Sequence, residues 1–233
     1  MAWQGSRWAR AEREGRDSGM SLAELLVTMM LMSLIAILVG TLVTSVSRAF
    51  TSDRIANDNT TTAAIAMNEM NRVLRAGTTI SVAGQTTGTP VFLKASATSV
   101  TLSAFLDTSA AASQPVQVRF ELNVATGELS ETRWAAIASS KPNWTFVATP
   151  TSTRVIARNV TAPTASTPLF AYLKEDASPW PFTSGELTLD ARRGVVAVTV
   201  SIETQTGPAG KTAPVRIENT IGIPNLSVSR LGL

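Results

Sequence analysis

The chain has 233 residues, of which 44% are hydrophobic and 16% charged, and its formal net charge is +3. This length favours one anchored domain or two small ones, and the absence of a dense lysine and arginine cluster argues against a nucleic-acid-binding surface. The sequence contains no cysteine and no histidine. Disulfide bonds, thiolate chemistry, histidine-based general-base catalysis and most zinc sites are therefore excluded.

The first 18 residues are polar, and arginines alternate there with acidic residues. An apolar run follows from Met20 to Val43, and it exceeds the roughly 20 residues that cross the hydrocarbon core of a bilayer. Because basic residues lie close to the N-terminal side of this run, the positive-inside rule predicts a cytoplasmic N-terminus and an extracytoplasmic C-terminal body. The four arginines of the leading segment are Arg7, Arg10, Arg13 and Arg16.

Glu24 is the only ionisable residue between Met20 and Val43. A carboxylate in hydrocarbon is costly, so an acid at this position is a candidate for function. The alternative is that Glu24 lies near the cytoplasmic interface and reaches water. The run is longer than the apolar region of a secretory signal peptide and no A-x-A site follows it, so cleavage on its C-terminal side is not predicted.

Residues 44–76 are predicted to continue the helix outside the bilayer, because apolar residues recur there at helical spacing. The apolar face consists of Ala63, Ala66, Met67, Met70, Val73 and Leu74. Gly77 is suited to the position just beyond the helix end, and Arg72 and Arg75 suit its last turns. The stretch Asp58–Thr62 consists of poor helix formers and predicts a kink or a weak turn.

After Gly77, apolar and polar residues alternate, which is typical of strands with one buried face. Two hairpins are predicted, one joining Val116–Val124 to Glu128–Trp134, and one joining Val196–Ile202 to Pro214–Ile221 through a turn at 207–210. Weaker strand predictions are Thr78–Val82, Val91–Lys94, Ser99–Phe105, Thr145–Ala148, Arg154–Val160, Leu169–Leu173 and Leu187–Asp190.

The predicted fold class is α+β, with a long N-terminal helix packed on an antiparallel β-sheet. The helix is transmembrane over residues 20–43 and amphipathic over residues 44–76. Residues 77–233 are the predicted extracytoplasmic β-rich domain.

The segment Gly19–Val27 (GMSLAELLV) follows a short basic leader and opens the apolar helix. In this arrangement it resembles the class III signal of type IV prepilins and pseudopilins. The resemblance implies that a membrane aspartyl peptidase cuts between Gly19 and Met20, so that residues 1–19 are a leader peptide. It also implies that the new N-terminus of Met20 is methylated, although the family most often has phenylalanine there. Glu24 would be the fifth residue of the mature chain and would act in assembly.

Such a cut creates an α-amino group at Met20, at the same depth in the membrane as Glu24. A charge in a low-dielectric assembly needs a partner and hydrogen bonds. In the family, the glutamate pairs with the N-terminal amine of a neighbouring subunit. The pair would set the axial register between packed helices, as a buried polar residue does in a coiled coil.

A weaker resemblance extends to the body of the chain. Ala66–Ala76 resembles the end of the long helix in J-type minor pseudopilins and W-type minor pilins, and the order of Phe170–Leu173, Arg192–Val200 and a closing strand also follows that subgroup. The implied protein is a minor subunit of a type IV pilus or a related filament, held first in the inner membrane. Its implied partners are prepilin peptidase, other pilin subunits, a platform protein, an assembly ATPase and the lipid bilayer. No cofactor, metal or catalytic residue is expected.

Other motifs have plainer interpretations. The segment Gly210–Thr212 (GKT) lacks the earlier glycine of a phosphate-binding loop and is interpreted as a hairpin turn. Ser140 beside Lys141 is interpreted as a chance neighbour pair in a loop. Three acids that are too dispersed for a convincing calcium site are Asp53, Asp58 and Glu69. Aromatic residues that are assigned to packing rather than to a binding surface are Trp134, Trp144, Phe146, Trp180 and Phe182.

Several functions stay open at this point. The filament could serve adhesion, motility, secretion or DNA uptake, although no direct nucleic-acid contact is indicated. A second hypothesis is an extracytoplasmic binding module that keeps its leader and remains anchored permanently. A third is a membrane-tethered hydrolase, which the lack of histidine, cysteine and any nucleophile–base spacing opposes.

Overall fold

A computed structural model describes residues 19–83, 88–106, 113–140, 143–206 and 214–224, except for the side chains of residues 138–140. The chain divides into two compact units, Met1–Phe50 and Thr51–Leu233. The predicted leader, residues 1–18, and the predicted turn at 207–210 lie outside the described residues.

In the described part of the first unit, residues from Leu22 onward belong to helix α1, which runs from Leu22 to Arg75. Every described residue from Gly19 to Phe50 is exposed. Among the described residues, α1 is the one helix long and apolar enough to cross a membrane. Its leucine, methionine and alanine content favours a helix, and the single Gly40 is tolerated within it.

Within the second unit, α1 buries one face over its last four turns. The buried residues include all six that the helical spacing predicted: Ala63, Ala66, Met67, Met70, Val73 and Leu74. The weak turn predicted at Asp58–Thr62 is wrong, because α1 is continuous there and Asn59 is buried. Thr204 donates its hydroxyl to the Asn59 carbonyl at 3.3 Å. This tertiary contact outweighs the weak local helix preference.

Helix α1 ends at Arg75, and Gly77 lies just beyond it in a crowded position. The N–H of Gly77 donates to the Leu74 carbonyl at 3.1 Å. A Cβ on Gly77 would lie 2.9 Å from Val91 Cγ1, so a side chain at this position could not fit without movement of the surrounding core.

The larger sheet is antiparallel and has six strands. They are β1 (Phe92–Ala95), β2 (Ser99–Ala104), β3 (Val116–Asn123), β4 (Glu128–Ser140), β5 (Asn143–Phe146) and β6 (Ser152–Ala157). The order is β1-β2-β3-β4-β5, and β6 also pairs with β4. The long β4 strand pairs with β3 along one edge and with two strands along the other, because Leu129–Arg133 pairs with β6 whereas Ala136–Ser140 pairs with β5.

The smaller sheet has three antiparallel strands. They are β7 (Phe170–Leu173), β8 (Ala197–Thr204) and β9 (Val215–Gly222), in that order, and a short helix, α2 (Leu189–Arg193), lies between β7 and β8 in the chain. Backbone hydrogen bonds join this part of the chain to the β1–β2 region. Phe170 donates to the Ala97 carbonyl at 3.1 Å and Leu187 to the Ala95 carbonyl at 2.8 Å.

One hydrophobic cluster contains the buried face of the C-terminal part of α1 and the buried faces of both sheets. Tyr172 is fully buried in it and packs edge to face on Phe92 and Phe182, with ring centroids 5.6 and 6.0 Å apart. Its hydroxyl donates to the Ser96 carbonyl at 3.2 Å. The coarse prediction of an α+β fold, with a long N-terminal helix packed on antiparallel sheets, is therefore confirmed.

Most strand predictions are confirmed with shifted ends, and two are not. Residues 78–82 form isolated bridges at Ile80 and Val82 rather than a strand. The strand predicted at Leu187–Asp190 is wrong because Thr188 caps helix α2 there. Its Oγ1 accepts a hydrogen bond from the Ala191 N–H at 3.3 Å.

Candidate functional site

The start of α1 brings the predicted processing and assembly residues together. Ser21 precedes the first helical residue, and its Oγ accepts a hydrogen bond from the Glu24 N–H at 3.2 Å. Gly19 and Met20 lie before the helix and are exposed. The Gly19–Met20 peptide bond is therefore in irregular backbone that precedes the helix.

Sequence reasoning missed the capping role of Ser21. The spacing Ser21-x-x-Glu24 is the pattern of a capping box, in which the serine accepts from the third helical N–H and the glutamate returns a bond to the serine N–H. The first of these two bonds is present. The second is not found among the described residues, so the Glu24 carboxylate is not used by the cap.

Other polar side chains of the apolar segment are satisfied internally. Each hydroxyl between Leu22 and Val43 donates to the carbonyl three residues earlier. They are Thr28, Ser33 and Thr41, with distances of 2.8, 2.7 and 2.8 Å. Such local bonds remove the cost of placing a hydroxyl in hydrocarbon. Within the described chain, neither a hydrogen bond nor an ion pair is found for the Glu24 carboxylate, which is thus the one side-chain polar group of this segment left for an external partner.

Apart from Ser21 and Thr28, the helix surface around Glu24 is apolar. Large hydrophobic residues from Met20 to Phe50 are exposed, and several show more than half of their surface, such as Leu22 at 78% and Met30 at 75%. A helix that is hydrophobic all round is stable only when it is buried in a bilayer or among other helices. The site therefore combines an uncovered apolar helix with one unpaired carboxylate in its first turn.

A second charged cluster lies in the other unit, between α1 and the larger sheet. It contains two glutamates and three arginines: Glu69, Arg72, Glu131, Arg133 and Arg154. Arg72, Arg133 and Arg154 all contact Glu69 Oε1, at 2.6, 2.9 and 2.8 Å. Glu69 is therefore committed to arginines and not available as a calcium ligand.

Glu131 is the buried centre of this cluster, since its side chain is fully buried on β4. It accepts from Arg133 Nε and Arg154 Nε, both at 2.6 Å. A buried carboxylate is tolerated only when its charge and lone pairs are satisfied in this way. The cluster ties α1, β4 and β6 together, and alternating hydrophobicity gave no signal for it.

The electrostatics of Glu69 follow from its neighbours. Burial alone raises the pKa of this carboxyl, but the hydrogen bond and charge of Arg72, with the charges of Arg154 and Arg133, outweigh burial and lower the pKa from its ordinary value of 4.5. The same contact with Glu69 raises the pKa of Arg72. Both groups are therefore held in their charged forms.

Three of the five aromatic residues, Trp144, Trp180 and Phe182, are used in packing, as predicted. Trp144 is buried, and Trp180 lies against Gly194, whose ideal Cβ would be 2.7 Å from Trp180 Cζ2. Lys174 Nζ lies 5.0 Å from the Trp180 ring centroid, which is a cation–π distance. The side chain of Ser140, with Lys141 and Gly210–Thr212, lies outside the described part of the structure.

No model of a known protein family matches the chain, and a search of the curated proteins finds no match either. Among the described residues, no group of three or more acidic, histidine or cysteine side chains is placed to hold a metal ion.

Proposed function

We propose that the chain is a prepilin-like minor subunit, which is stored in the inner membrane, trimmed by prepilin peptidase between Gly19 and Met20, and then assembled into a type IV pilus or a related filament. The observation that carries the proposal is the state of Glu24. It is an unpaired carboxylate in the first turn of an uncovered apolar helix, five residues after Gly19. The protein acts as a structural subunit and not as an enzyme.

Peptide-bond cleavage supplies the missing partner for Glu24. The cut leaves a cationic α-amino group on Met20, whose methylation keeps the positive charge. In an assembly of parallel helices, the amine of one subunit reaches the Glu24 carboxylate of a neighbour. Pairing removes the cost of two isolated charges in a low-dielectric medium. The pair acts mainly as a register device, because desolvation offsets much of its Coulomb energy.

Helix packing then provides the assembly energy. The apolar surface from Met20 to Val43 leaves lipid for contact with equivalent helices of sibling subunits. Residues 77–233 are displayed outside the membrane. A platform protein in the membrane and a cytoplasmic ATPase would drive the transfer from bilayer to filament.

The direct test is the mature N-terminus. The full chain is co-expressed with a prepilin peptidase, and its N-terminal peptide is identified by mass spectrometry. The expected product begins at N-methylated Met20. Recovery of protein that still begins at Met1, after co-expression with an active peptidase, would contradict the proposal and favour a permanently anchored binding module.

Assembly is tested separately in cells that make the whole system. Cysteine pairs introduced at exposed helix positions such as Leu26 and Met30 should form cross-links with sibling subunits. The same cross-links should be absent when the peptidase is deleted, because the amine at Met20 is then never formed.

A further inference from the structure

The segment from Thr161 to Leu169 forms a compact loop whose two ends meet on one strand. The Thr161 N–H donates to the Glu203 carbonyl at 2.7 Å, and the Ser201 N–H donates to the Leu169 carbonyl at 3.0 Å. The two anchor points on β8 are only two residues apart. Compact surface loops with joined ends are frequently functional.

Hydroxyl groups make the tip of this loop rigid. Thr164 and Thr167 exchange two backbone hydrogen bonds, both at 3.2 Å. The Thr164 hydroxyl is 2.7 Å from the Thr167 hydroxyl and 3.0 Å from that of Ser166. A loop that is ordered before binding loses little conformational entropy when a ligand arrives.

The floor beside the loop is the polar face of β8 and β9. Arg216 is the direct cross-strand neighbour of Glu203, yet its guanidinium turns away. Its Nε donates to Ser201 Oγ at 2.9 Å and its Nη2 pairs with Glu218. Within the described chain, the Glu203 carboxylate has neither a hydrogen bond nor an ion pair, although an arginine lies opposite it.

A cavity of about 210 Å³ lies between the loop and this floor. Its polar lining residues are Thr161, Thr164, Thr167, Ser201, Glu203 and Arg216, and Ala162, Pro163 and Leu169 complete its wall. The lining thus offers a charged acceptor, guanidinium donors and several groups that both donate and accept hydrogen bonds.

We propose that this cavity binds a single neutral sugar unit, for example one residue of a surface glycan. Vicinal sugar hydroxyls can donate to the two oxygens of Glu203, and Arg216 Nη1 can donate to a ring or hydroxyl oxygen. A cation is disfavoured because Arg216 lines the cavity, and an anion is disfavoured by Glu203. The cavity is too small for a long ligand, so a larger glycan would place only one of its sugar units inside.

This inference goes beyond the proposed filament function and does not depend on it. A glycan site on the displayed domain can serve either a filament subunit or an anchored module. The N-terminal mass measurement and the sugar-binding measurement therefore fail independently of each other.

The test uses the full chain in lipid nanodiscs and saturation-transfer difference NMR. The probes are the methyl glycosides of glucose, galactose and mannose, N-acetylglucosamine, and ethanolamine as a cationic probe, with empty nanodiscs as the blank. At least one neutral sugar should show saturation transfer above the blank, with a dissociation constant in the millimolar range typical of so few atoms. Ethanolamine should show none.

Two variants locate the binding. Glu203→Gln should weaken binding of the responding sugar by about tenfold or more, because hydrogen bonds to a charged acceptor are replaced by weaker ones. Glu175→Gln, at an exposed glutamate in a turn outside the cavity, should leave the dissociation constant unchanged. Thermal unfolding of each variant checks that the fold is retained.

Three outcomes would overturn the proposal. These are no transfer to any neutral sugar, transfer to ethanolamine alone, or equal sugar affinity in Glu203→Gln and the native chain. If Glu203→Gln unfolds, the sugar affinity of Thr164→Val is measured instead. This substitution removes one lining hydroxyl at an exposed position, and unchanged sugar affinity in that variant would also overturn the proposal.

Discussion

Ser21 Oγ accepts a hydrogen bond from the backbone N–H of Glu24 at 3.2 Å, while the Glu24 carboxylate does not return a bond to the Ser21 N–H within the described structure. In the pattern Ser21-x-x-Glu24, the helix cap and the Glu24 carboxylate are therefore independent of each other. The cap needs the serine hydroxyl and the backbone of residue 24. The carboxylate is left without a partner within the described chain.

The first prediction uses this separation. Glu24→Gln keeps a side chain that a capping box accepts equally well. It removes the charge that would pair with the Met20 amine of a neighbouring subunit. The variant should insert and be cleaved normally, and its incorporation into filaments should fall by about tenfold or more. Quantitative immunoblots of the membrane and filament fractions measure both steps.

Thr28→Val is the matched control for Glu24→Gln. The Thr28 hydroxyl is already bonded to the Leu25 carbonyl at 2.8 Å, so its removal exposes no new polar group to a partner. Filament incorporation of this variant should equal that of the native chain. Equal incorporation of Glu24→Gln would show that the acid is dispensable in this subunit.

The second prediction concerns processing at Gly19. Among the described residues, no atom lies within 4 Å of an ideal Cβ on Gly19, and the residue is exposed and precedes the helix. Gly19→Trp should therefore leave the fold intact but block the peptidase, and full-length protein should accumulate in the membrane. Gel mobility and N-terminal mass spectrometry report the result.

Gly40→Ala serves as the control for Gly19, because a Cβ on Gly40 also meets no atom within 4 Å. Alanine favours the helix relative to glycine by about 1 kcal/mol. This variant should be cleaved as efficiently as the native chain. Normal cleavage of Gly19→Trp would place the processing site elsewhere.

The third prediction concerns the buried carboxylate of Glu131. Glu131→Gln leaves Arg133 and Arg154 without their shared buried anion. Removing one partner of a buried ion pair costs about 3–5 kcal/mol. The cost here should fall toward the lower end, since the side chains of Arg133 and Arg154 are 28% and 55% exposed and keep part of their hydration. Denaturant unfolding of the full chain in micelles gives the free-energy change.

An exposed pair provides the comparison for Glu131. Glu121 lies 3.4 Å from Arg119, and both side chains are more than one-third exposed. Glu121→Gln should cost less than about 1 kcal/mol. Equal costs for the two variants would show that the buried cluster contributes no more than a surface contact.

The fourth prediction is a pH dependence that arises from Glu69. Its folded-state pKa is lowered, so the stability it contributes is fully present above the unfolded pKa and is lost as pH falls through the folded pKa. The melting temperature of the native chain should therefore fall between about pH 5 and pH 3. Glu69→Gln should show a shallower decline over the same range. Parallel curves for the two proteins would contradict the assignment.

The fifth prediction tests the packing around Trp180. Alanine at position 194 would place its Cβ 2.7 Å from Trp180 Cζ2, so Gly194→Ala should destabilise the fold by about 1–3 kcal/mol through overpacking. Gly222→Ala is the control, because no atom lies within 4 Å of its ideal Cβ. Thermal unfolding, followed by tryptophan fluorescence, should separate the two variants. Equal melting temperatures would show that the Trp180 ring moves aside at no cost.

The spacing of apolar residues predicted the amphipathic part of α1 and the strands with one buried face. The six apolar residues from Ala63 to Leu74 are buried as their spacing required, and both alternating hairpins are present. The weak turn predicted at Asp58–Thr62 is absent, and Thr204, 145 residues away in sequence, bonds to the Asn59 carbonyl within the continuous helix. The strand prediction at Leu187–Asp190 is wrong because the Thr188 side chain caps helix α2 there.

The candidate sites divide in the same way. Gly19, Met20 and Glu24 are neighbours in sequence, so their spacing was readable without a structure. The partners of Glu131 come from β4 and β6, and the cavity beside Glu203 needs a loop, a strand and its cross-strand neighbour together. Contacts between residues this far apart in sequence leave no periodic signal.

By itself, the sequence determined the apolar helix that opens with Gly19–Met20 and Glu24, because hydrophobic length, charge position and spacing act through local chemistry. The local structure at the helix start showed that the Glu24 carboxylate is left unpaired by its own cap. Only the tertiary structure decided that Glu69 is held by three arginines, and that Glu203 borders a cavity lined partly by threonine and serine residues. Those states depend on which groups meet in space, and hydrogen bonds and charges are satisfied or left open only once the chain has folded.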